Sequence, residues 1–77
     1  MKRKKLPHQF VVCVKNRGYR ASLELRKIYE MIPDEDAAST GHVRIIDESG
    51  EDYMYPSEWF IAIELPKAAS RAVLKAS

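Results

Sequence analysis

The chain has 77 residues, so it forms one domain at most, and a domain of this size buries only about 60% of the surface that its unfolded form exposes. A hydrophobic content of 45% excludes wholesale disorder, no stretch approaches the roughly 20 apolar residues that cross a bilayer, and a single cysteine, Cys13, excludes an internal disulfide. The net charge of +2 conceals a pattern: residues 1–27 carry nine basic residues and one acid, residues 28–64 carry one basic residue and ten acids, and the remainder carries three basic residues.

Two readings of that pattern stay open. The basic and acidic segments can pair within the fold and cancel, or a basic face can remain to attract nucleic acid or an acidic partner. A chain without bridges fits a reducing compartment, and the apolar run Phe10 to Val14 is shorter than the core of a secretory signal, so the expected location is cytoplasmic.

Residues 1–8, "MKRKKLPH", are a polar, basic lead-in, expected to be mobile. "QFVVCVK" is a β-branched run that predicts a strand. "NRGYRAS" follows as a turn-rich loop around Asn16 and Gly18. "LELRKIYEMI" has residues that suit a helix, but Pro33 ends it abruptly. A strand over Lys27 to Ile32 fits better, with Tyr29 and Met31 inward and Glu30 on the wet side. "PDEDAASTG" is a loop with room for one helical turn, capped by Asp34 and stopped by Gly41.

"HVRIID" predicts a strand with Val43 and Ile45 opposite Arg44. "ESGE" is a hairpin turn in which Gly50 supplies a positive φ. "DYMY" pairs back, and Pro56, which has no N–H for a ladder, closes that strand. "SEW" fits one 3₁₀ turn, and "FIAIEL" is a fifth strand. Alternation puts Tyr53 and Tyr55 on one face, both largely in the core, with Met54 on the other. Residues 66–77 change character: Pro66 opens an alanine-rich helix with Ala69, Ala72, Val73 and Ala76 on one face. That face docks either on the body of the domain or on a partner.

Five short strands joined tightly, then a helix, predict a mainly β fold: a five-stranded small barrel over residues 9–65 with a short C-terminal helix. "YPSEWF" resembles the Pro-Ser-Asn-Tyr-Val signature that opens the last strand of Src-homology-3 (SH3) domains, and "LELRKIYEMI" is similar to their Leu-x-Phe followed by Ile-x-Val-Leu. The chain is also similar to a group of small bacterial proteins that share a Tyr-x-Tyr-Pro ending and carry no assigned activity. The resemblance covers roughly residues 12 to 63 and implies an SH3-like barrel with Tyr55 inward, and Pro56 and Trp59 on an outer groove. It also buries Phe60, whereas Glu64 as a wet-face marker buries Ile61 and Ile63; a change of parity at Ser57 to Trp59 lets both hold.

The departures matter for function. That family lines its peptide groove with tyrosines of the first strand, but Val12 to Asn16 holds no aromatic residue. Its first loop is acidic, but here it carries Lys15, Arg17 and Arg20. His42 stands near where the family has a tryptophan. Selection of proline-rich peptides therefore does not carry over.

The residues also argue against catalysis. Cys13 sits in an apolar run as a buried structural thiol, and His8 and His42 have no dyad spacing. The acidic turns Asp34 to Asp36 and Asp47 to Asp52 do not match a calcium loop, and the three glycines are isolated. No enzyme activity, cofactor or metal is expected. What remains is binding. One expectation is a protein partner held by an aromatic and proline surface of Trp59, Pro56, Met54 and Tyr19. The alternative is nucleic acid held by Lys2, Arg3, Lys4 and Lys5 in the arm, with Lys15, Arg17 and Arg20 in the first loop. The edge of the fifth strand and the C-terminal helix are the places where a second copy could pair.

Overall fold

The structure, a computed structural model, describes residues 9–76, with side chains described as far as Leu74. The basic arm Lys2, Arg3, Lys4 and Lys5, together with His8, lies outside the described residues. Strand β1 is Gln9–Cys13, β2 Ile28–Ile32, β3 His42–Ile46, β4 Asp52–Pro56 and β5 Phe60–Ile63. A short helix α1, Glu35–Ser39, sits between β2 and β3, a 3₁₀ turn, Ser57–Trp59, links β4 to β5, and helix α2 is Lys67–Ala76.

The five strands form one antiparallel sheet in the order β4-β3-β2-β1-β5. The fold is thus mainly β with a short C-terminal helix. The sheet is open among the described residues: β4 and β5 are its edges, and no ladder joins them, so the closed barrel expected from the sequence is not reached. Pro56 and the 3₁₀ turn lie where such a ladder would have to begin, and neither offers a continuous row of donors.

Register decides which side chains meet. Val11 pairs with Tyr29, Met31 with Ile45, Val43 with Tyr55 and Cys13 with Phe60, so these residues share one face. Val11, Cys13, Tyr29, Ile45, Tyr55 and Phe60 are buried there, with Leu23 inserted from the first loop and with Met31, Val43 and Trp59 at the margin. Each fully buried side chain of the Leu or Ile type contributes about 1.5–3 kcal/mol, so the core rests on a handful of positions. Phe60 is buried while Ile61 is 56% exposed. The strand therefore follows the parity of Phe60, and the burial of Ile61 required by the Glu64 marker is not met. Tyr53 also departs from expectation: it points to the core side but is 52% exposed, because it lies on edge strand β4, where the core has run out.

The connections hold by local hydrogen bonds. Asp34 caps α1 by accepting from the Ala37 N–H at 3.0 Å, and Gly41, at φ 76°, ends it with its N–H on the Ala38 carbonyl at 3.1 Å. Arg44 ties that cap to the β3–β4 hairpin, donating to Asp34 at 3.0 and 2.6 Å and to Asp52 at 2.6 Å. In the hairpin turn Gly50 has φ 85° and its N–H meets the Asp47 carbonyl at 2.9 Å. The long first loop is also fixed. The Asn16 amide donates to the Leu23 carbonyl at 2.9 Å, the Arg26 N–H to the Cys13 carbonyl at 2.7 Å, and the Glu48 N–H to the Ser22 carbonyl at 2.9 Å.

The opposite face of the sheet carries Phe10, which is buried, and Val12, Ile28, Ile46 and Ile63, which are half-buried. Val73 and Leu74 of α2 line a cleft of about 760 Å³ with Ile28 and Ile46. The half-buried positions of α2 are Ala69, Ser70, Val73 and Leu74, whereas Ala72 is exposed and the side chain of Ala76 is outside the described part. The buried stripe is thus rotated from the all-alanine one: the larger Leu74 covers more apolar surface than Ala72 and takes the inward place.

Candidate interaction site

Four aromatic rings gather at one end of the core face. Tyr55 lies at the bottom, 1% exposed. Trp59, half-buried, stacks on it with ring centroids 6.1 Å apart and planes at 27°. Tyr19, from the first loop, meets Tyr55 edge-on at 5.3 Å and Trp59 at 5.8 Å. Tyr53 closes the row at 6.0 Å from Tyr19 and 5.1 Å from Tyr55. Such pairs add about 0.5–1.5 kcal/mol beyond their buried area, which makes the ridge a rigid feature of the surface.

The ridge is fixed from below. The Tyr55 hydroxyl donates to Asp47 at 2.6 Å, and Asp47 also accepts from the Ser49 N–H at 2.9 Å and the Ser49 hydroxyl at 2.6 Å. Burial alone would raise the Asp47 carboxyl, but the bonds from Ser49 and Tyr55 outweigh it and hold it below the usual carboxylate range. Burial, with Asp47 as acceptor, pushes the Tyr55 hydroxyl well above its ordinary value, so it stays a donor. A parallel arrangement secures the first loop: the Tyr29 hydroxyl donates to Glu48 at 2.5 Å and accepts from the Glu24 N–H at 2.7 Å, while Lys27 reaches Glu48 at 2.6 Å.

Two grooves flank the ridge. One, of about 480 Å³, has Trp59 for a wall, Val14 and Leu25 as apolar lining, and Lys15, Arg17, Arg20 and the acid Glu58 around it. The other, of about 330 Å³, runs beside Tyr19 and Tyr53 and carries Asp47, Glu51 and Asp52. Three basic residues and one acid thus line one side of the aromatic ridge, and acidic residues alone carry the charge on the other. Among the described residues the ion pairs are Lys27 with Glu48 and Arg44 with both Asp34 and Asp52. Lys27 answers the expectation that the basic segment pairs with the acidic one, whereas Lys15, Arg17 and Arg20 form no ion pair among the described residues.

The expected contact surface is divided. Tyr19 and Trp59 come together. Met54 does not join them: it pairs across with Arg44, on the side of β4 opposite Tyr55, and Pro56 shares the side of Met54 by alternation. Of the expected basic set, Lys15, Arg17 and Arg20 converge on one groove. Val14, Leu25 and Tyr53 belong to the surface and were not foreseen; 38%, 44% and 52% exposed, they are large apolar or aromatic residues left open beside Trp59 and Tyr19.

Cys13 is fully buried, with its thiol on the Lys15 carbonyl at 3.2 Å, and burial raises its pKa. The His42 ring lies 3.2 Å from the Thr40 hydroxyl. Among the described residues, no group of three or more His, Cys, Asp or Glu side chains could hold a metal ion, and no helix is long and apolar enough to cross a membrane.

The architecture defines a small domain built on one antiparallel β-sheet and finished by a short helix. No protein-family model, curated protein or solved structure matches this chain.

Proposed function

We propose that this chain is a small non-enzymatic binding module that holds a segment of another protein across the ridge of Trp59 and Tyr19. The observation that carries this reading is the partly open position of both rings, 5.8 Å apart, on the buried, hydrogen-bonded Tyr55. Rigid aromatic anchors at the rim of a core lose little freedom on binding and dominate interaction energies. The 3₁₀ turn before the last strand and the inward Tyr55 agree with the SH3-like barrel to which the sequence is similar, and that likeness favours a binding role. The absence of an acidic first loop argues against proline-rich ligands selected by their basic residues.

Trp59→Ala tests the reading. Trp59 is half-buried, so its truncation should cost about 2 kcal/mol, roughly half the loss for a fully buried tryptophan. The variant should still fold at low temperature, yet lose the peptides that the native chain selects from a displayed library. Loss of stability with an unchanged set of peptides would make Trp59 a core residue and refute the site.

A second reading has one specific observation behind it, the convergence of Lys15, Arg17 and Arg20 beside Trp59. A basic groove with a stacking ring suits single-stranded nucleic acid. Titration with oligonucleotides at several salt concentrations decides it, since affinity should fall by about one log unit per log unit of salt for each phosphate neutralised.

A further inference from the structure

We infer that the groove between Trp59 and the first loop takes an acidic protein segment that carries an aliphatic or aromatic residue among its carboxylates. The inference rests on reading the ridge as a protein-binding site, and it names the chemistry of the partner. Four observations lead to it.

First, Lys15, Arg17 and Arg20 surround the groove and form no ion pair among the described residues. Second, this is not for want of acids. Glu48 is engaged by Lys27 and Tyr29, Asp34 and Asp52 share Arg44, and Asp47 is held by Tyr55 and Ser49. These four carboxylates are committed elsewhere, and Glu58 is the one acid among the residues that line the groove, so three cations against one carboxylate leave it a positive excess. Third, the lining between these cations is apolar: Val14 and Leu25 are 38% and 44% exposed beside Trp59. An all-charged ligand would leave this surface uncovered, whereas one apolar side chain would cover it. Fourth, the site is held in place. The Val14 N–H donates to the Trp59 carbonyl at 2.7 Å, and the Tyr19 N–H to the Asn16 carbonyl at 2.8 Å, so the wall and the loop that bears the cations are fixed to each other.

The same geometry disfavours a nucleic acid. One face of the Trp59 ring is taken by Tyr55, at 27° between planes, and Tyr19 packs against the ring at 5.8 Å, so Trp59 offers a base less than a free stacking platform. The groove is walled by branched aliphatic groups, and across the ridge Asp47, Glu51 and Asp52 would repel the next phosphates of a continuing strand. A peptide meets no such conflict, since its charge can change from one residue to the next.

The test is selection of peptides of about ten residues from an unbiased displayed library on the full chain, followed by fluorescence anisotropy of the selected peptides. Trp59→Ala defines the binders that use the ridge. Arg17→Glu and Arg20→Glu then probe the groove without disturbing the fold, because both side chains are exposed and bond to nothing among the described residues. The expected binders are rich in Asp and Glu around one large apolar residue. Each charge reversal should weaken them about twofold to fivefold, and added salt should weaken them further. Binders that depend on Trp59 but show no acidic enrichment, or ignore both reversals, would overturn the acidic-segment inference and leave the protein-binding reading standing. Failure to recover any Trp59-dependent peptide would overturn both, as would tight, salt-sensitive binding of an oligothymidylate in its place. Self-association in sedimentation that Arg17→Glu abolishes would assign the groove to a second copy of the chain and overturn the inference.

Discussion

Replacing Tyr55 by Phe removes one oxygen atom from beneath the aromatic ridge. The side chain is 1% exposed, and its hydroxyl donates to Asp47 at 2.6 Å. Asp47 is 9% exposed and keeps its two bonds from Ser49 at 2.9 and 2.6 Å. A hydrogen bond to a charged group contributes about 1.5–3 kcal/mol, and since two donors remain, the loss should lie at the lower end, about 1.5 kcal/mol. The ring contacts with Tyr19, Trp59 and Phe60 involve no hydroxyl and should survive. In a domain this small, each kcal/mol moves the melting temperature by about 4–8 °C, which gives a fall of about 6–12 °C.

The loss should also depend on pH. The folded state holds the Asp47 carboxyl below its ordinary value, so its contribution is present above the unfolded pKa of about 3.9 and is lost as pH falls through the folded one. The deficit of Tyr55→Phe should therefore be complete near neutral pH and shrink below about pH 4. Thermal and urea unfolding of both proteins, followed by circular dichroism across that range, measures it. An unchanged melting temperature at neutral pH would refute the argument, as would an equal deficit in acid, because either result means that the hydroxyl does not serve an ionised Asp47.

Two further substitutions test the frame around the site. Gly41→Ala places a Cβ at φ 76°, where no other atom lies within 4 Å, so the cost is purely one of backbone conformation. It should be about 1 kcal/mol in urea unfolding, and no loss would show that α1 does not need its glycine stop. Met54→Gln should leave stability within about 0.5 kcal/mol and peptide binding unchanged, because Met54 is 47% exposed on the far side of β4 from Tyr55. Impaired binding by this variant in the anisotropy assay would restore Met54 to the contact surface.

The elements were legible because their ends are chemically marked. Pro33 and Pro56 close strands, Asp34 opens α1, and Gly41 and Gly50 adopt the positive φ that few other residues accept. Alternation gave the face of each strand residue correctly for Tyr29, Met31, Val43, Ile45 and Tyr55. It could not give depth. Tyr53 and Tyr55 share a face, yet one is 52% exposed and the other 1%, because the edge of a sheet has neighbours on one side only. The same limit applies to α2, where composition marks the most alanine-rich face, while the face that packs inward is the one that half-buries Leu74.

The site was legible only in part, for a related reason. Nearness in sequence grouped Met54, Pro56 and Trp59, but the period of two along a strand puts Met54 on the reverse side from Tyr55, and the chain reaches Trp59 only after a 3₁₀ turn. Leu25 gave no signal, since in an extended segment it would share the parity of Leu23. Leu23 is fully buried and Leu25 is 44% exposed, because the chain turns at Arg26, which has φ 63°. The charge pattern was the more informative clue, although composition could not say how it would resolve. Pairing within the fold and an excess of basic residues at one groove both occur among the described residues. Lys27 reaches Glu48 because the two flank Tyr29, which already holds Glu48 by its hydroxyl. Lys15, Arg17 and Arg20 line a groove with Trp59 and the one acid Glu58, while the acidic hairpin lines another with Tyr19 and Tyr53. An aromatic ridge that separates unlike charges keeps them from neutralising each other, so the feature that anchors a ligand also preserves the field that would attract it.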